Sequence, residues 1–101
     1  MNIIYILLDQ IRKDMLGPYG HQIVKTPNLD RLAKDGVRFN NAFTPASVCG
    51  PARTSLFTGL MPSSHGIIKN GEKGGIGEIS QEKPNIGKLA GYNTYVVGKW
   101  H

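Results

Sequence analysis

Cysteine is nearly absent from this chain: Cys49 is the single one in 101 residues. One thiol cannot close an internal disulfide, so cysteine usage gives no sign of an oxidising compartment. Long apolar runs are missing too. The longest strand-like run, Ile3-Ile4-Tyr5-Ile6-Leu7-Leu8, is far short of the roughly 20 residues a membrane-spanning helix needs. It also lacks the basic leader and small-residue cleavage site of a signal peptide. The expectation is therefore a cytoplasmic chain with no membrane partner. Acidic residues are scarce, 7 against 12 Lys and Arg, for a net charge of +5. A cationic excess favours nucleic acid, anionic membranes or anionic substrates. Arg12, Lys25, Lys34, Lys69, Lys83 and Lys88 are scattered, however, with no run of like charge. A nucleic-acid footprint clusters on one face or stripe, so these read as solvated surface and no nucleic-acid partner is expected. The phosphate-binding glycine patterns fail as well. Gly74-Gly75-Ile76-Gly77 follows no strand and lacks the dinucleotide spacing, and Gly98-Lys99 is followed by Trp100 rather than Ser or Thr.

What is present has α/β character. A length of 101 residues with 40% hydrophobic content suits about one small domain. Residues 3–8 form a continuous apolar run rich in β-formers, the pattern of a central parallel strand covered on both faces. Asp9 and Gln10 follow at its carboxyl end, where open α/β sheets place their ligands. Gly17-Pro18-Tyr19-Gly20-His21 is turn-rich, and His21 reads as a surface loop residue. Thr26-Pro27 predicts an N-cap and first helical position, Leu29, Leu32 and Ala33 recur at helical spacing, and Gly36 supplies the stop. Residues 37–43 alternate loosely, as a second strand would. The chain turns at Met61-Pro62, and His65 reads as a structural residue bonding its own loop. Residues 71–78 read as a mobile surface loop. Pro84 opens a short helix that Gly91 ends, and residues 92–97 form a third strand with Gly98-Lys99-Trp100-His101 just past it.

The stretch that organises these pieces is Val48-Cys49-Gly50-Pro51-Ala52-Arg53-Thr54-Ser55-Leu56-Phe57-Thr58-Gly59. Gly50 and Pro51 suit the cap and first position of a helix, where a missing N–H is harmless. Residues four apart share a helix face, so Arg53 is expected beside Cys49. Positive charge from Arg53 and from the helix N-terminus then converges at Cys49, an environment that favours a thiolate or a bound oxyanion. Taken alone, one cysteine at a helix start is more often a small buried residue.

Cys-x-Pro-x-Arg followed by Ser-Leu-Phe-Thr-Gly resembles the maturation motif of the sulfatase family, within the alkaline-phosphatase-like superfamily. The commonest family form has Ser at Ala52 and Arg at Leu60, and neither departure removes a group that does chemistry. Gly91-Tyr92 through Lys99 and His101 resembles a second sulfatase motif, and the strand ending in Asp9-Gln10 resembles the family's first metal-binding segment. The resemblance covers nearly the whole chain. It implies an α/β alkaline-phosphatase-like sandwich with a mostly parallel central sheet, of which residues 1–101 would be the N-terminal part of one catalytic domain.

The resemblance also implies a chemistry: hydrolysis of a sulfate monoester, on a small molecule or a carbohydrate, through a formylglycine hydrate made from Cys49. A formylglycine-generating enzyme would be the maturation partner. By the same resemblance Arg53 and Lys99 contact the sulfate oxygens and His101 hydrogen-bonds the hydrate. Asn70 contacts the substrate anion. Asp9, Gln10 and the oxidised Cys49 ligate a divalent cation, calcium or else manganese. Gln10 stands where many members have a second Asp. The alternatives within reach of the sequence are a phosphonate monoester or phosphodiester hydrolase of the same superfamily, or a fragment that is noncatalytic when isolated.

Overall fold

The computed structural model describes residues 1–71 and 85–99. The chain divides into two compact units, Met1–Ala42 and Phe43–His101, and each is described by itself.

In the first unit, two 3-10 turns, Lys13–Met15 and Gly17–Tyr19, precede helix α1, Pro27–Asp35. α1 starts and stops where the Thr-Pro and Gly signals predict, and the Gly36 N–H donates to the Leu32 carbonyl at 2.9 Å. Thr26 does more than begin the helix. Its hydroxyl accepts the Gly17 N–H at 2.9 Å and donates to Asp30 Oδ1 at 3.3 Å, which pins the second turn to the start of α1. Tyr19 is the other fastening point. Its ring meets two cations, Lys13 Nζ at 5.6 Å from the centroid and the Arg38 guanidinium at 5.5 Å. Its hydroxyl donates to the Phe39 carbonyl at 2.8 Å, Lys13 Nζ donates to the Asn40 carbonyl at 2.7 Å, and Arg38 donates to the Pro18 carbonyl.

Those bonds bear on the expected second strand. The carbonyls of Phe39 and Asn40 are taken by side chains of Tyr19 and Lys13 rather than by a strand ladder. Among the described residues no strand forms at all, and residues 3–8, 37–43 and 92–97 lack the ladder bonds expected of them. A strand exists only through its neighbour's N–H and C=O groups, and a parallel one also needs cover on both faces. The described residues offer these three runs neither, so their side chains stay solvated; Ile4 is 85% exposed and Val97 98%.

The second unit contains α2, Cys49–Thr58, then the single turn α3, Pro62–His65, and α4, Ile86–Leu89. α3 and α4 both pack on α2. α4 is capped by Asn85, whose Oδ1 accepts the Lys88 N–H at 2.8 Å; Pro84, the expected opener, lies outside the described residues, as do residues 72–84 generally and with them most of the expected surface loop. No helix of the described residues is long and apolar enough to cross a membrane.

The buried part of this unit is mostly polar. Arg53, Thr54, Ser55, Thr58 and His65 are buried, and Ile67 is the one large apolar side chain that joins them among the described residues. A buried hydroxyl without a partner costs about 1–3 kcal/mol, so each must be satisfied. The helix does this itself for two of its three buried hydroxyls: Thr54 Oγ1 donates to the Gly50 carbonyl at 2.9 Å, and Thr58 Oγ1 donates to the Thr54 carbonyl at 2.7 Å. Both are bonds to the carbonyl four residues back, the usual retreat of a hydroxyl inside a helix.

Candidate active site

α2 begins two residues earlier than its Gly-Pro pair suggests. Val48 is the N-cap, with extended backbone, and Cys49 is the first helical residue. Pro51 therefore occupies the third position, still within the first turn, where no N–H is needed by the helix. The Ala52 N–H donates to the Val48 carbonyl at 3.0 Å and closes that turn. Cys49 is half-buried. Arg53 is one turn further along the same helix and only 6% exposed, so the i, i+4 relation expected from the sequence holds within α2.

Asn70 comes to this helix end from the segment after α3. Its Oδ1 accepts the Gly50 N–H at 2.8 Å. The carboxamide acts as a cap supplied from outside the helix, in place of the side-chain cap that Val48 cannot provide. Gly50 is what lets it approach, since a Cβ there would lie 2.9 Å from Asn70 Oδ1. This modifies the expected anion site. Of the backbone groups at the helix start, the Gly50 N–H is already engaged and Pro51 has none. The positive character the backbone leaves at Cys49 is that of the helix dipole. Asn70 is held at the cysteine's helix, with Nδ2 as the end of its amide still able to donate.

The far end of α2 is equally determined. Gly59 adopts φ 71° and its N–H donates to the Ser55 carbonyl at 2.8 Å. The left-handed conformation favours glycine, and a Cβ at this position would meet Ile86 Cδ1 at 3.3 Å.

Asp9 and Gln10 belong to the first unit, where both are exposed. Gln10 has φ 57°, the one positive φ at a non-glycine among the described residues. Holding such a residue in the left-handed region costs on the order of 1 kcal/mol, and outliers of this kind gather at functional sites. A carboxylate beside an amide oxygen suits a hard divalent cation, although two oxygen donors are fewer than the roughly six to eight that calcium takes. Among the described residues no three His, Cys, Asp or Glu side chains gather as a ready metal cluster. Lys99 is exposed, and His101 lies outside the described residues.

Sequence reasoning gave Ser55 no role and did not join His65 to α2. His65 Nε2 is 2.9 Å from Ser55 Oγ, and His65 Nδ1 accepts the Ile67 N–H at 3.1 Å. Only the second bond, local to the loop, could be anticipated from the His-Gly turn. The first joins side chains ten residues apart and has no periodic signal.

Comparison with known proteins decides the family. The sequence profile of the Sulfatase family matches residues 1–101. The chain belongs to the sulfatase family. It is 46% identical to an ulvan-active sulfatase of Formosa agariphila, with 99% of this chain and 19% of that protein covered. Against the human N-acetylgalactosamine-6-sulfatase it is 36% identical, covering 99% and 21% of the two chains. Against an arylsulfatase of Clostridium perfringens it is 38% identical, again covering 99% and 21%. This sulfatase-family chain thus spans about a fifth of the length of these relatives. Membership implies the alkaline-phosphatase-like α/β fold, of which the described residues display helices. No solved structure matches it.

Proposed function

We propose that this chain carries the nucleophile segment of a sulfuric ester hydrolase, with Cys49 as the residue converted to formylglycine. One observation supports this most: the Cys-x-Pro-x-Arg motif forms the first two turns of one helix, so that Cys49 and Arg53 share a face at its positive end. The names of the relatives point the same way.

A sulfate monoester is a poor electrophile that already carries negative charge, so the site must gather cations and hold the nucleophile in line. Arg53, almost wholly buried on α2, binds non-bridging oxygens. Lys99 adds a second cation by the role its motif implies. Asn70 contributes an amide donor from its position at Gly50. His101 moves a proton at the nucleophile. Formylglycine, when formed from Cys49 and hydrated, supplies one hydroxyl for attack and a second whose deprotonation expels sulfate. Asp9 and Gln10 would hold the divalent cation, calcium or manganese, which supplies charge neutralisation and Lewis acidity when bound.

Full-length protein made together with a formylglycine-generating enzyme and assayed on matched sulfate and phosphonate esters tests this reading. Faster turnover of the sulfate ester is the expected result. Faster turnover of the phosphonate ester would overturn it.

A further inference from the structure

The buried Ser55–His65 pair has the spacing of a nucleophile and its base, 2.9 Å between Oγ and Nε2, and the proposed chemistry does not use it. Its hydrogen bonding excludes that role. The Ile67 backbone N–H donates to His65 Nδ1 at 3.1 Å, so Nδ1 presents a lone pair and the ring proton of the neutral imidazole is on Nε2. Nε2–H then donates to Ser55 Oγ. A nitrogen that already bears its proton cannot take one from the serine, and the pair is no acid–base dyad.

The same geometry makes a good clamp. Ser55 is in the middle of α2, and His65 ends α3 at 4% exposure. A buried, satisfied hydrogen bond between two elements fixes their relative position, and breaking one partner leaves the other desolvated. Five residues beyond His65, Asn70 holds the first turn of α2 through Gly50. One short segment therefore holds the helix twice, at its start and at its middle; Arg53 lies within that span and Cys49 directly precedes it.

We infer that His65, as the neutral Nε2–H tautomer, is a positioning residue that clamps the Cys49 helix through Ser55, in concert with Asn70 at Gly50. That it matters for catalysis rests on α2 being the nucleophile helix; that it clamps α2 does not. The clamp predicts which substitutions are interchangeable. His65→Gln can still present an amide N–H where Nε2 was, whereas His65→Ala cannot. Ser55→Ala removes the acceptor and leaves helix propensity intact.

The test has two arms on the full-length protein. In the first, 15N-edited NMR reads the His65 tautomer, and hydrogen exchange reads the amides of residues 52–55. The expected result is a protonated Nε2 and an Nδ1 without a proton that accepts the Ile67 N–H. Exchange in α2 should speed up about tenfold in Ser55→Ala and His65→Ala, the factor for one net hydrogen bond, and return toward wild type in His65→Gln. In the second arm, kcat on a sulfate ester should fall about tenfold in both alanine variants with KM nearly unchanged, as misplacement of a nucleophile requires. A proton on Nδ1, or unchanged α2 exchange in Ser55→Ala, would overturn the clamp. Ser55→Ala keeps the test open should His65→Ala fail to fold. Absence of sulfate-ester turnover in the wild type would instead strike the functional reading, with the exchange arm still deciding the clamp.

Discussion

The apolar run at residues 3–8 and the helix α2 invert the usual relation between hydropathy and burial. Ile3, Ile4, Tyr5 and Ile6 are each at least 66% exposed, while Thr54 is 0% exposed and Arg53 6%. The difference is one of partners. An apolar strand gains from burial only when another surface covers it, and it has no internal means of satisfying its backbone. α2 bonds its interior backbone within itself, returns two threonine hydroxyls to its own carbonyls, and receives Asn70 and His65 from the segment that follows it. A polar stretch with a complete hydrogen-bond set can be buried by neighbours close in sequence. An apolar strand has to wait for a sheet.

Substitutions at five positions press on that contrast. The largest effect is expected at Arg53, the buried charge proposed to bind the sulfate: Arg53→Ala should lower kcat/KM on a sulfate ester in full-length protein by about 10²–10³. Arg53→Lys should recover only part of that, because an ammonium cannot reproduce the guanidinium fork. Next is Gly59→Ala. It places a Cβ at φ 71° and against Ile86, and denaturant titration should show a loss of about 1–2 kcal/mol.

A smaller pair of changes tests the inversion itself. Thr54→Val keeps the shape of a fully buried side chain and removes its bond to the Gly50 carbonyl, for an expected loss of about 1 kcal/mol. Ile4→Thr makes the hydrophobic run more polar and should stay within about 0.5 kcal/mol of wild type in this chain. If Ile4→Thr proved the more damaging of the two, residues 3–8 would be buried after all.

The smallest effect belongs to the Arg12–Asp14 pair. Arg12 Nε and Nη2 donate to the two Asp14 carboxylate oxygens at 3.0 and 2.5 Å, and both side chains are exposed. Hydrogen bonding from Arg12 lowers the Asp14 pKa below its ordinary 3.8. A lowered carboxylate contributes stability above its unfolded pKa and loses it as pH falls through the folded value. Solvent screening leaves little at such a site. Asp14→Asn should therefore leave thermal stability at neutral pH unchanged within error, and remove any difference that appears only on acidification below about pH 4.

The helices were more legible than the sheet for the same physical reason. Thr26-Pro27 and Gly36 mark α1 because caps and stops are local signals. Cys49 and Arg53 could be placed on one face because the helical period is fixed by the backbone. The three expected strands at 3–8, 37–43 and 92–97 depend on neighbours that local pattern does not specify, and Tyr19 and Lys13 instead take the carbonyls at Phe39 and Asn40. The cap from Asn70 and the clamp from His65 join residues twenty and ten positions apart. Neither contact leaves a periodic trace, and both surround the one helix whose motif could be read directly.

Whether Cys49 is the precursor of the nucleophile can be read from a mass spectrum of the tryptic peptide 39–53. The protein should come from its native host or be made with a formylglycine-generating enzyme. The expected mass is that of a peptide in which the Cys49 thiol carbon has become an aldehyde. An unmodified thiol from both sources would contradict it, leaving Cys49 as a half-buried cysteine at the start of a well-held helix.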